Sequence, residues 1–214
     1  IDIGSYDVIL EIFEISKKQD IRSVDKICHR MELGKDTYTL GKIRPEMEEE
    51  LCRVLADFVR IMEGYRVDDY RATASSAISE ASNSLYVLGK IHQLTGLSVT
   101  VLSNSEQRFL SYKALAAMED NFNKIIEKGT AILDLDGGSF QISLFDKDAL
   151  VTTQNIRMGS LRIRERLAGI QSETEHYEEM VEELIWNEVS SFKKMYLKDR
   201  KIENIMLIGD VFTD

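Results

Sequence analysis

The sequence predicts an α/β fold, and three features carry the prediction. Apolar runs of strand length, several of them β-branched or alternating, recur along the chain. Between them stand longer segments whose apolar residues return at helical spacing. Twice a short strand breaks into carboxylate, glycine and serine and resumes as a second strand, at residues 1–12 and again at 131–145.

In chain order, Ile1-Asp2-Ile3-Gly4-Ser5 leads into Val8, Leu10 and Ile12, which alternate as a strand does. Residues 29–43 read as a glycine-punctuated loop. The only proline, Pro45, stands where a helix begins, and Met47, Leu51, Val54, Leu55, Phe58 and Met62 then recur at helical spacing up to Gly64. Residues 69–74 read as a strand. Ser75 and Ser76 are placed to cap a following helix with Leu85, Leu88 and Ile91 on its apolar face, ending near Thr95 and Gly96. Residues 97–102 form a β-branched strand that delivers Ser103-Asn104-Ser105-Glu106-Gln107-Arg108 to another helix start. After the second hairpin, Asp146-Lys147-Asp148 turns into a strand over 150–156. Tyr177, Met180, Val181, Leu184, Ile185, Val189, Phe192 and Met195 then trace one face of a long helix and read as core. Ile205-Met206-Leu207-Ile208 reads as a buried parallel strand. A subdomain seam is expected at 155–157, which gives domains 1–155 and 156–214.

The chemistry concentrates in Ala131-Ile132-Leu133-Asp134-Leu135-Asp136-Gly137-Gly138-Ser139-Phe140-Gln141-Ile142-Ser143-Leu144-Phe145. Ile142 and Leu144 share one face, and Asp134 and Asp136 project to a common side because strand side chains alternate. Gly137 and Gly138 let backbone N–H groups approach an anion, and Ser139 adds a hydroxyl donor. Phosphate with a divalent metal suits such a tip; an ordinary tight turn with solvated aspartates satisfies the same pattern.

A chain of 214 residues that is 43% hydrophobic and 30% charged can bury one or two small cores. Its net charge of −10 argues against a broad nucleic-acid or anionic-membrane surface, so neither is an expected partner. Cys28 and Cys52 are too few for a disulfide scaffold and share no metal-ligand spacing with the three histidines. With no leader or spanning segment in view, a cytoplasmic location is expected. A chain that opens inside a strand and stops just beyond another is expected to be a fragment.

Asp2-Ile3-Gly4-Ser5 and Asp134-Leu135-Asp136-Gly137-Gly138-Ser139 resemble the paired phosphate loops of the exopolyphosphatase and guanosine pentaphosphate phosphohydrolase (Ppx/GppA) family, which shares the fold of actin, sugar kinases and Hsp70. Leu33-Gly34, Gly41-Lys42 and Pro45-Glu46 match further landmarks in order. Residues 75–83 resemble the family's phosphate-meeting turn, with Ser79 at its arginine position, and Met158-Gly159-Ser160-Leu161-Arg162 resembles its leucine-glycine-alanine-x-arginine element.

The resemblance implies two ribonuclease-H-like (actin-like ATPase) subdomains, each a mixed sheet flanked by helices, the second incomplete, facing across a cleft lined by both loops. It implies hydrolysis of terminal phosphate from inorganic polyphosphate or guanosine pentaphosphate, with Mg2+ or Mn2+ and as a homodimer. The family's catalytic glutamate falls on Gln107 without a gap, or on Glu106 with one deletion, which also aligns the following arginine with Arg108; the second register recovers both charged groups and is preferred. The implied site is then Glu106, Gln107 and Gln141 for catalysis and Gly4, Ser5, Gly137, Gly138, Ser139 and Arg108 for phosphate, while the carboxylates of this sequence's own two turns, Asp2, Asp134 and Asp136, are the expected metal ligands.

Several positions depart from the pattern: Tyr6, Asp7, Ser79 for arginine, Asp136 for glycine, Gln141 for a second glutamate, and Asp210 and Val211 for a glycine-rich loop. At an effective dielectric of about 20, like unit charges ~4 Å apart repel by ~4 kcal/mol, so Asp136 opposes a polyanion unless a metal between it and Asp134 reverses the sign. One alternative is a non-catalytic phosphate- or nucleotide-sensing or interaction module on the same fold. Another is a haloacid-dehalogenase-type phosphatase with Asp134 as nucleophile, Asp136 as acid and base, and Asp210 or Asp214 on magnesium, although such proteins open with their aspartate motif.

Overall fold

Alternating strands and amphipathic helices produce two compact units, Ile1–Ser103 and Asn104–Asp214, in a computed structural model that describes residues 1–16, 21–119, 121–169 and 176–209. The expected seam at 155–157 lies inside the second unit, because the strands before it and the strand at 204–208 belong to one sheet.

In the first unit β1 (Asp2–Ile3), β2 (Asp7–Ile15) and β3 (Ile21–Arg30) run antiparallel, while β4 (Ala72–Ala74) and β5 (Val99–Val101) add parallel strands, in the order β3-β2-β1-β4-β5. Val8, Leu10 and Ile12 alternate inward as expected. They meet α2 (Pro45–Tyr65), whose buried residues include Leu51, Val54, Leu55, Phe58 and Met62, the stripe that 3.6-residue periodicity requires. Pro45 opens this helix with no N–H to lose, and Arg66 closes it in the left-handed region.

Three short-range expectations give way here. Residues 29–43 are not simply loop: β3 continues to Arg30, and α1 (Leu33–Leu40) follows, ending at Gly41 with a positive φ of 69°. Ser75 stands at the N-cap of α3 (Ser76–Ser79) but makes no side-chain cap bond, and the Ser76 hydroxyl instead meets Tyr38. In α4 (Ser84–Thr95) the buried residues are Val87 and Ile91, whereas Leu85 is 86% exposed, so the inward face is rotated from the expected one.

The second unit opens with α5 (Asn104–Met118) and α6 (Phe122–Ile126) and builds a sheet from β6 (Thr130–Leu135), β7 (Phe140–Asp146), β8 (Ala149–Ile156) and β9 (Asn204–Ile208), in the order β8-β7-β6-β9. Strand β9 is parallel to β6 as expected and is an edge strand among the described residues, and Ile205 and Leu207 on one of its faces are exposed. One face of the sheet carries Ile132 and Phe145 against Phe122, Ile126 and Tyr112, with the Tyr112 and Phe145 rings edge to face at 5.2 Å. The other carries Ile142, Leu144 and Ile156 against Phe192 of α8 (Tyr177–Tyr196). Phe192 alone of α8's apolar stripe is buried, and Trp186 is 59% exposed, so the stripe expected as core is covered only at its C-terminal end among the described residues. Helix α7 (Ser160–Leu167) completes the unit, burying Leu161, Ile163 and Leu167.

Candidate functional site

The turn between β6 and β7 is closed by its own aspartate. Oδ1 of Asp136 accepts the backbone N–H groups of Gly138 at 2.5 Å and Ser139 at 2.6 Å, and the Ser139 hydroxyl lies 3.5 Å from Oδ2. The Gln107 amide also donates to this carboxylate. Burial pushes the Asp136 carboxyl above the ordinary carboxylate range; the donors from Ser139, Gly138 and Gln107 pull the other way without cancelling it. The turn's N–H groups therefore converge on one anionic oxygen, the arrangement expected for phosphate, but the oxygen is the protein's own.

Helix α7 holds the turn from behind. Ser160 N donates to the Asp136 carbonyl at 3.1 Å, Arg162 N to that of Gly137 at 3.1 Å, and Arg162 Nε to that of Gly138 at 2.9 Å. Gly159 sits so close that a Cβ there would lie 2.4 Å from Gly137 C and Ser139 N, so a side chain at 159 would displace the turn. The glycine-serine-x-arginine run expected to open a second subdomain thus buttresses this loop.

Beside the turn, three strands contribute one polar rung. Asp134 on β6 is opposite Gln141 on β7, which is opposite Asn155 on β8, and all three face α5. With Asn104, Gln107, Arg108, Asp136 and Ser139 they line a cavity of ≈ 10 Å³, room for one water. Ser111 donates to Asp134 Oδ2 at 3.2 Å, and Arg108 donates to Thr153 at 3.0 Å and Ser105 at 2.9 Å. The Ser143 hydroxyl, 3.1 Å from that of Thr153, accepts from Tyr112 at 2.5 Å. Polar residues at the turn end and apolar ones farther along divide this face of the sheet between site and core.

Of the residues singled out from sequence, Gln107, Arg108, Asp134, Asp136, Ser139 and Gln141 come together around this cavity, with Gly137 and Gly138 buried in the adjoining turn. Glu106 is exposed on the first turn of α5 and is not among the lining residues. Asp2, Gly4 and Ser5 belong to the first unit. There Asp2 accepts from Thr73 at 3.2 Å, Gly4 N donates to the Asp7 carbonyl, and the buried Ser5 hydroxyl is 2.7 Å from that of Tyr38, which continues to Ser76 at 2.8 Å. Ser79 is exposed at the end of α3. Asp210 and Asp214 lie outside the described residues. The sequence reading missed Asn104, Ser111 and Asn155; the alternation of Thr153 and Asn155 along β8 was the one signal for the last.

Asp134 and Asp136 supply hard oxygen donors, joined by serine hydroxyls and amide carbonyls. That set fits magnesium or manganese, which take one or two carboxylates and keep several waters. No group of three or more His, Cys, Asp or Glu gathers among the described residues, so a fuller protein cage is not formed there.

Two mixed sheets flanked by helices, one of them carrying a glycine-serine turn beside a polar rung, define an actin-like ATPase-type fold. Within that class, the chain belongs to the Ppx/GppA phosphatase family, whose model matches residues 11–213. It is 22% identical over 172 residues to a bifunctional 3-dehydroquinate synthase/phosphatase of Fusobacterium nucleatum, a match covering 78% of this chain and 26% of that protein. It is 25% identical over 144 residues to exopolyphosphatase 1 of Mycobacterium leprae, covering 67% of this chain and 41% of the relative. The chain thus spans less than half the length of these curated relatives. Among solved structures, the Aquifex aeolicus PPX-GPPA enzyme superposes with a TM-score of 0.71 at 22% identity, over 97% of this chain and 66% of that one. No helix among the described residues is long and apolar enough to cross a membrane.

Proposed function

We propose that the protein releases terminal phosphate from inorganic polyphosphate or guanosine pentaphosphate with magnesium or manganese, slowly, through the site on the β6–β7 turn. The observation that carries this reading is the convergence of the Gly138 and Ser139 N–H groups on a single anionic oxygen. A terminal phosphoryl oxygen takes that place once the Asp136 carboxylate turns away, and Arg108 stands near to balance charge. Asp134 and Asp136 would hold the metal, which when bound neutralises the charge that builds on the phosphoryl oxygens. The chain's own residues do the rest: the turn orients the phosphate, α7 keeps the turn rigid, and the surrounding amides exclude bulk water.

A second reading, a phosphate- or nucleotide-binding module without turnover, draws on a different observation. Amides stand at Gln107 and Gln141, and the cavity of ≈ 10 Å³ is too small for phosphate while the Asp136 carboxylate stays on the turn. Phosphate release from polyphosphate, guanosine pentaphosphate and a generic phosphomonoester, assayed on the full-length protein with and without magnesium, decides between them. Metal-dependent release from the first two only supports the enzyme; tight binding of either without release supports the module.

A further inference from the structure

Two amides face the cavity, and one of them carries a buried oxygen without a hydrogen-bond partner among the described residues. Gln141 is 8% exposed and lines the cavity. Asn155, its partner across β7 and β8, has Oδ1 buried with no hydrogen-bond partner among the described residues. A buried polar atom left without a partner is costly, and native proteins fill such places with ordered water. The cavity between them accepts one water and is too small for phosphate, and Ser139 of the anion-holding turn lines it too.

We propose that Gln141 and Asn155 hold a single water in this cavity and that this water is the nucleophile in phosphate release, oriented by two amides where a carboxylate base would otherwise stand. The inference rests on the hydrolase reading above. Asn155 Oδ1 and the Gln141 side-chain oxygen accept the water's two hydrogens, which leaves an oxygen lone pair free to face a phosphoryl group seated on the turn. In the reaction the water oxygen bonds to the terminal phosphorus as the bond from phosphorus to the bridging oxygen breaks. The electron pair leaves on the shortened chain. One hydrogen stays on the attacking oxygen and the other passes to an oxygen of the released phosphoryl group, so no protein base is consumed.

The test joins a crystal structure of the full-length protein to steady-state release of phosphate from sodium polyphosphate with magnesium. Wild type, Gln141→Leu, Asn155→Ala and Gln141→Glu are compared, with circular dichroism to confirm folding; should Gln141→Leu fail to fold, Asn155→Ala carries the comparison. Expected are one water within hydrogen-bond distance of both amides, a kcat lower by about a hundredfold in Gln141→Leu or Asn155→Ala with KM little changed, and in Gln141→Glu a pH dependence of kcat that wild type lacks. An empty cavity, or Gln141 and Asn155 bonded to each other, overturns the proposal. An active wild type with both truncated variants unimpaired overturns it alone, whereas a wild type that releases no phosphate overturns the hydrolase reading and this inference together.

Discussion

Replacing Asp136 by glycine tests the site most directly, because the structure gives the change two effects of one sign. Oδ1 of Asp136 occupies the N–H groups of Gly138 and Ser139 at 2.5 and 2.6 Å, so an incoming phosphate oxygen must displace it. Glycine frees both donors, and a hydrogen bond to a charged group contributes about 1.5–3 kcal/mol. It also removes a like charge that repels a phosphate oxygen ~4 Å away by ~4 kcal/mol at an effective dielectric of about 20. One recovered bond alone is a factor of about ten, and relief of the full repulsion approaches a thousand, so metal-free orthophosphate should bind Asp136→Gly about 10- to 1,000-fold more tightly. Magnesium adds an effect of the opposite sign, since the variant has lost one of two candidate ligands: the increment in phosphate affinity on adding magnesium should shrink. Calorimetry of both proteins with and without the metal measures all four affinities. Asp136→Asn, which keeps a neutral oxygen for the turn, separates charge from occupancy. Unchanged metal-free affinity in the glycine variant would refute the idea that Asp136 fills a phosphate position.

Gln107 lines the cavity and bonds Asp136 while Glu106 is exposed, so Gln107→Ala should lower phosphate release at least about tenfold and Glu106→Gln by no more than about twofold; the reverse result in the same assay would return the base to Glu106. With the folded-state pKa of Asp136 raised mainly by burial, the folded protein holds that proton more tightly than the unfolded chain. Its contribution to stability therefore declines as pH rises from the ordinary carboxylate value of about 3.9 through the raised folded value, and is level above it; urea unfolding across that range should show the slope in wild type and lose it in Asp136→Asn. Leu55, fully buried where α2 meets the first sheet, should cost about 2–5 kcal/mol as Leu55→Ala in the same unfolding assay, with the fold retained.

The parts of the fold that were legible in the sequence are those where a single element determines its own face. Helix α2 is one: Pro45 marks its start, and the stripe from Leu51 to Met62 is buried as 3.6-residue spacing demands. The strand through Val8, Leu10 and Ile12 is another. Where burial depends on a neighbour, periodicity is silent about what covers the face. The apolar residues of α8 repeat correctly, yet only Phe192 is buried, and Ile205 and Leu207 are exposed while Met206 and Ile208, on the opposite face of the same strand, pack against the core. Short-range signals erred for a related reason. Ser75 has a capping residue's identity and position, but its helix is a single turn held by contacts across the unit, such as Tyr38 to Ser76.

The site divides along the same line. Composition and spacing identify the turn, and strand alternation puts Asp134 and Gln141 on the face toward α5, but the register that sets Gln141 opposite Asn155 is a property of two strands together and cannot be read along either one. Asp136 is the sharper case. As a residue type in place of glycine it reads as a charge added to an anion site, or as a metal ligand. Its geometry adds a third role, because its carboxylate satisfies the N–H groups that would be left without partners when no phosphate is bound. Gly159 and Arg162 fix the backbone from the opposite side, so the turn keeps its shape whether those donors hold the protein's own oxygen or a substrate's. A substitution that weakens phosphate binding can for that reason stabilise the empty loop, and the same two hydrogen bonds account for both effects.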